Sequence, residues 1–145
     1  MSTLYVAFKG DGNSSNKIVR SLNGDKLFLT NSYDGLKKDI DNIKGTYDLV
    51  YMFGLDKNLK GNIRIESIAK KDDVCLYSNM DCKSIAMKLN EIGTIATVGN
   101  SPIQSLCNEA YWCMLRKFNC NVVFFHVPSI KYITDIFIEK VKIVL

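Results

Sequence analysis

Val122-Val123-Phe124-Phe125 is an unbroken apolar run that leads into His126, the sole histidine of the chain. Such a run has no face to offer water, so it reads as a strand covered on both sides. Working outward, Tyr47-Asp48-Leu49-Val50-Tyr51-Met52-Phe53 reads as a second buried strand, ended by Gly54. Leu4 to Phe8 and Lys26 to Leu29 are shorter strand candidates, and Thr94 to Val98 is another. Asn62 to Ala69 sets Ile63, Ile65 and Ser67 against Arg64, Glu66 and Ile68, the period of a strand. Between them lie segments with helical spacing: Lys17 to Leu22, Tyr33 to Ile43, Lys83 to Ile92 and Lys131 to Leu145. Ser101 as N-cap, Pro102 at the first helical position and Gln104 closing a capping box predict a further helix, running to about Phe118. Strands alternating with helices predict an α/β fold with a mostly parallel sheet. In such sheets, working groups gather beyond the carboxyl ends of the strands. The turn-rich loop Gly10–Asn16 and His126 both fall there.

The 145 residues suit one domain, residues 1–145, with a core that needs no staples. The net charge of +4 is spread along the chain, with Lys37-Lys38 and Lys70-Lys71 only as pairs. That pattern argues against a nucleic-acid partner. The start lacks a basic leader, and no apolar stretch approaches the roughly 20 residues of a membrane span. Five cysteines without a secretion signal read as reduced thiols, and a cytoplasmic location is expected. With no CxxC or CxH spacing and one histidine, a zinc site is not expected, and Cys–His chemistry would call for no cofactor.

Three residues invite chemistry. Cys107 lies early in the helix predicted from Ser101, where the positive end of the dipole favours a thiolate. It also falls in helical spacing with Ile103, Ala110 and Met114, which suits a small buried hydrophobe equally. His126 at the end of a buried strand can act as a general base or sit as a satisfied edge residue. Glu66 on its strand can face solvent, or orient an imidazole as the third member of a triad. Gly10-Asp11-Gly12 completes neither a dinucleotide nor a phosphate-loop pattern and reads as a tight turn.

The stretch Asn100-Ser101-Pro102-Ile103-Gln104-Ser105-Leu106-Cys107-Asn108 resembles the nucleophile segment of the pyroglutamyl peptidase I (pyrrolidone-carboxylate peptidase) family, where a Cys-Asn pair opens a helix. Val123 to Pro128 is similar to that family's strand ending in His-Val-Pro, and 19 positions separate Cys107 from His126. Phe53-Gly54-Leu55 and Ile63-Arg64-Ile65-Glu66-Ser67-Ile68-Ala69 resemble its Val-Gly-Leu segment and its acidic strand. Val6-Ala7-Phe8 looks like the Thr-Gly-Phe that opens its substrate loop.

The resemblance implies a three-layer α/β/α sandwich and a cysteine peptidase or amidase that removes a small N-terminal blocking residue such as pyroglutamate. It implies Cys107, His126 and Glu66 as the catalytic set, and Phe8, Asp11, Asn16 and Leu55 on the substrate side. A peptide or small acyl-amide is the expected partner, and a homo-oligomer the expected assembly. Two of the chain's departures from the family bear on the pocket and its frame. Asp11 stands where the second aromatic clamp of the pyrrolidone ring would be, and the arm after the acidic strand is cut to Lys70-Lys71-Asp72-Asp73. These departures leave room for another small acyl group, or for a relative that keeps the fold as a binding module.

Overall fold

The computed structural model describes residues 2–103 and 105–145. Its strands are β1 (Thr3–Phe8), β2 (Asp25–Leu29), β3 (Leu49–Leu55), β4 (Ile63–Glu66), β5 (Ile68–Lys71), β6 (Val74–Tyr77), β7 (Ala96–Gly99) and β8 (Val122–Val127). Its α-helices are α1 (Ser14–Arg20), α2 (Tyr33–Asp41), α3 (Cys82–Glu91), α4 (Ser105–Lys117) and α5 (Asp135–Val144), with a 3-10 turn at Ile130–Tyr132. Six strands form one sheet in the order β2-β1-β3-β8-β4-β7. Every neighbouring pair is parallel except β4 with β8.

Strand β8 is buried along its whole length. Its Val123, Phe125 and Val127 enter a core with Ile18 and Val19 of α1, Ala86 and Leu89 of α3 and Phe137 and Val141 of α5. Val122 and Phe124 enter a second core with Leu36 and Ile40 of α2 and Ala110, Tyr111 and Met114 of α4. The alternation of a strand thus feeds two apolar layers, one on each side of the sheet. This is the expected three-layer α/β/α sandwich with a mostly parallel sheet.

The structure differs from the expected elements at four places. Helix α1 starts at Ser14, inside the predicted loop, because the Asn13 side chain caps it by accepting from the Ser15 N–H at 2.9 Å. The predicted strand 62–69 breaks at Ser67, whose hydroxyl donates to the Gly99 carbonyl at 2.9 Å. Beyond that break β5 and β6 pair as an antiparallel hairpin, with Asp72 and Asp73 both at positive φ as a two-residue type I′ turn requires. Helix α4 begins at Ser105 instead of Ser101. Ser105 sits at φ +67, a left-handed conformation through which a helix cannot continue. The predicted cap at Gln104 lies outside the described residues. Finally, the last predicted helix divides at Ile133, and α5 starts afresh where Thr134 accepts from the Phe137 N–H.

Among the described residues, no helix is long and apolar enough to cross a membrane. No group of three or more His, Cys, Asp or Glu is arranged to hold a metal ion among them.

Candidate active site

The strand period explains the site. Arg64 and Glu66 are two apart on β4, so both rise from one face, while Ile63 and Ile65 enter the core on the other. Phe124 and His126 share that same face on β8. The antiparallel register sets Arg64 opposite His126 and Glu66 opposite Phe124. On the other flank of β8, His126 pairs with Gly54 of β3. Helix α4 packs over this face and brings Cys107 down onto it.

Gly54 is where the sulfur lands. A Cβ added at Gly54 would stand 3.1 Å from Cys107 Sγ and 2.6 Å from the Phe124 ring. The sulfur therefore lies over Gly54, the residue paired with His126 across β3 and β8. No hydrogen bond joins Cys107 Sγ to the imidazole among the described residues. Gly99 has a parallel role on β7: a Cβ there would collide with the Glu66 carboxylate.

Cys107, His126, Glu66 and Leu55 line one cavity of about 680 Å³, together with Asp56, Arg64, Gly99 and the segment Asn100–Ile103. Glu66 is 1% exposed and His126 5%. A carboxylate this deep needs a cationic partner. Arg64 supplies it, its Nε donating to Glu66 Oε1 at 2.9 Å. The same guanidinium donates through Nη2 to Asp56 Oδ2 at 2.9 Å. Glu66 Oε2 stands 3.4 Å from His126 Nδ1.

Charge balance follows from this arrangement. Burial acts against the Arg64 cation, but its bonds to Glu66 and Asp56 outweigh that and hold its pKa above the ordinary value. Burial likewise opposes the Asp56 carboxylate, yet the Asn58 N–H and the Arg64 guanidinium hold its pKa below the usual value. For Cys107, burial first, and then the Asp56 and Glu66 carboxylates, push the thiol up to about 12. The thiolate expected from the helix dipole is thus overruled: desolvation and two nearby negative charges outweigh a helix end. Burial and these two charges favour the protonated thiol at Cys107.

Phe8, Asp11 and Asn16 are not among the residues that line the cavity. Phe8 is 4% exposed and packs into the core beneath α2 and α4. The Asn16 side chain is tied back, donating through Nδ2 to the Phe8 carbonyl at 3.0 Å. Asp11 is exposed in the turn before α1. The sequence reading did not single out Arg64 or Asp56. The signal for Arg64 was present, since a residue two before Glu66 on a strand must share its face.

Helix α4 is fixed in place just after Cys107. The Asn108 side chain pairs with the main chain of Lys70, accepting from its N–H at 3.1 Å and donating to its carbonyl at 2.8 Å. One turn on, Tyr111 Oη donates to the Glu66 carbonyl at 2.8 Å.

The chain is thus a three-layer α/β/α sandwich in which a thiol, an imidazole and a buried carboxylate line one cavity. More particularly, the chain has the fold of the pyrrolidone carboxyl peptidases. It is similar to pyrrolidone carboxyl peptidase from Pyrococcus furiosus, with 21% identity and a TM-score of 0.78, covering 99% of this chain and 96% of that one. It is similar to the enzyme from Thermus thermophilus at 15% identity and a TM-score of 0.79, covering 98% and 96%. Against the enzyme from Thermococcus litoralis the values are 20% and 0.72, with 88% and 76% covered. No family model and no curated protein sequence matches the chain.

Proposed function

We propose that the chain is a cysteine hydrolase that cleaves the amide bond after a small N-terminal blocking residue, such as pyroglutamate. The observation that supports this most is the shared cavity of Cys107, His126 and Glu66 on a pyrrolidone carboxyl peptidase fold. Cys107 attacks the carbonyl carbon. His126 takes the thiol proton as the C–S bond forms, delivers it to the leaving amine as the C–N bond breaks, and then activates the water that cleaves the thioester and restores the Cys107 thiol. Glu66 orients the ring and balances the imidazolium. The first N–H groups of α4 have no partners within the helix and face the developing oxyanion. Because the thiol is protonated at rest, proton transfer to His126 belongs to the attack step and does not precede it.

The pocket differs from an aromatic clamp. Near the thiol its lining is Leu55, Pro102 and Ile103 with Asp56, Lys57 and Asn58. This mixed lining fits a small acyl group with hydrogen-bonding edges, pyroglutamyl or a close analogue. The test is hydrolysis of a panel of pyroglutamyl- and aminoacyl-linked fluorogenic amides. Cleavage by the wild type and its loss in Cys107→Ala and His126→Ala are expected. Full activity in either variant rules out the mechanism.

A second reading keeps the fold as a non-catalytic binding module. The raised thiol pKa of Cys107, and the lack of a hydrogen bond from its sulfur to His126 among the described residues, favour it. Under that reading no amide in the panel is cleaved, and small acyl-amides bind without turnover. A homo-oligomer is retained as part of the proposal, and sedimentation velocity reads it directly.

A further inference from the structure

Arg64 touches every member of the charged cluster. Its Nε holds Glu66 Oε1, its Nη2 donates to Asp56 Oδ2, and the same Nη2 lies 3.3 Å from His126 Nδ1. A guanidinium only donates. A neutral imidazole has one donor nitrogen and one acceptor. In a neutral ring, an Nδ1 paired with Arg64 can only accept, which puts the ring proton on Nε2. The other side of the site agrees. Glu66 Oε2 is buried and within 3.4 Å of Nδ1, yet it has no hydrogen-bond partner among the described residues. An Nδ1–H aimed at Glu66 would have satisfied it.

We propose that Arg64 is a positioning residue that holds His126 as its Nε2–H tautomer, so that the resting ring carries a proton on the nitrogen that must take one from Cys107. This rests on the hydrolase reading above for its catalytic meaning, though not for the tautomer itself. Release of Nδ1 by Arg64 lets the Nε2 proton pass to solvent water in the open cavity, which gives a proton to Nδ1 in return, with no net change of charge. Nδ1–H then donates to Glu66 Oε2, and the Nε2 lone pair becomes free. Arg64 is 31% exposed along its side chain and lines the cavity. A substrate carbonyl oxygen entering there competes with Nδ1 for Nη2, which couples occupancy to the productive tautomer.

The chain has one histidine, so histidine-selective 15N labelling gives a single pair of ring nitrogens. Two-bond 1H–15N correlation at a pH where the ring is neutral tells which nitrogen carries the proton. The wild type is expected to show Nε2 protonated and Nδ1 bare. Arg64→Met, which keeps the aliphatic stem and removes the donors, is expected to reverse the two. A wild type with Nδ1 protonated overturns the proposal, as does an unchanged tautomer in folded Arg64→Met. Should Arg64→Met fail to fold, the wild-type spectrum decides by itself. Assaying the same samples for amide cleavage separates the two claims. The expected tautomer without cleavage removes the hydrolase reading alone, and cleavage with the opposite tautomer removes the role of Arg64 alone.

Discussion

Tyr111 and Glu66 are joined through a buried hydrogen bond of 2.8 Å, from the phenol to the main-chain carbonyl. It ties the helix that carries the nucleophile to the strand that carries the acid. Tyr111 is fully buried. Tyr111→Phe leaves the Glu66 carbonyl without its phenol donor, at a cost of about 1–2 kcal/mol. The expected result in urea denaturation is a lower midpoint with an unchanged slope. Activity falls several-fold, because Cys107 and Glu66 lose a fixed spacing.

Gly99 and Gly54 make room for the two ends of the proposed triad. A methyl group at 99 meets the Glu66 carboxylate, and one at 54 meets the Phe124 ring and crowds the Cys107 sulfur. Overpacking of this kind costs about 1–3 kcal/mol. Gly99→Ala is expected to displace the acid and lower kcat at least tenfold. Gly54→Ala is expected to shift the sulfur, lowering kcat while KM changes little. Steady-state kinetics of folded protein, verified by circular dichroism, check both.

The Cys107 thiol makes a pH prediction whose sign is fixed. Its pKa is raised from 9.0 to about 12 in the folded protein. Below pH 9 both states hold the proton and the effect is absent. Between pH 9 and 12 the unfolded chain loses the proton first, so stability falls as pH rises, by at most about 1.4 kcal/mol per unit. Burial raises the Cys82 and Cys113 thiols as well, so the difference between wild type and Cys107→Ser isolates the effect. The wild type is expected to lose more stability than Cys107→Ser across that window, measured by denaturant titration at each pH.

The same thiol resists simple alkylation. Iodoacetamide near neutral pH is expected to label Cys107 more slowly than an ordinary exposed thiol, with the rate rising through the alkaline range. Peptide mapping after timed quenching reads it. Rapid labelling of Cys107 at pH 7 contradicts a protonated resting site.

Much of this arrangement was legible in the sequence, because it follows from local periodicity. The apolar run Val122–Phe125 specified a buried central strand, and the two-residue period of β4 specified one face for Arg64 and Glu66. What periodicity cannot state is direction and depth. Nothing local requires β4 to run antiparallel to β8, yet that reversal sets Arg64 opposite His126. The raised pKa of the Cys107 thiol is hidden from the sequence for a similar reason. A helix end is visible in sequence, whereas burial and the approach of Asp56 and Glu66 appear only after folding. The loop before α1 was misread because the Asn13 cap and the buried Ser14, Ser15 and Asn16 look like turn residues in isolation.

The central claim is that one of five cysteines is a nucleophile served by the single histidine. A pyroglutamyl aldehyde or chloromethyl ketone, followed by mass spectrometry of the intact protein and its peptides, tests it most directly. The account predicts one adduct, on Cys107, that forms far more slowly in His126→Ala. Adducts spread over the other cysteines, or a rate on Cys107 indifferent to His126, would contradict it.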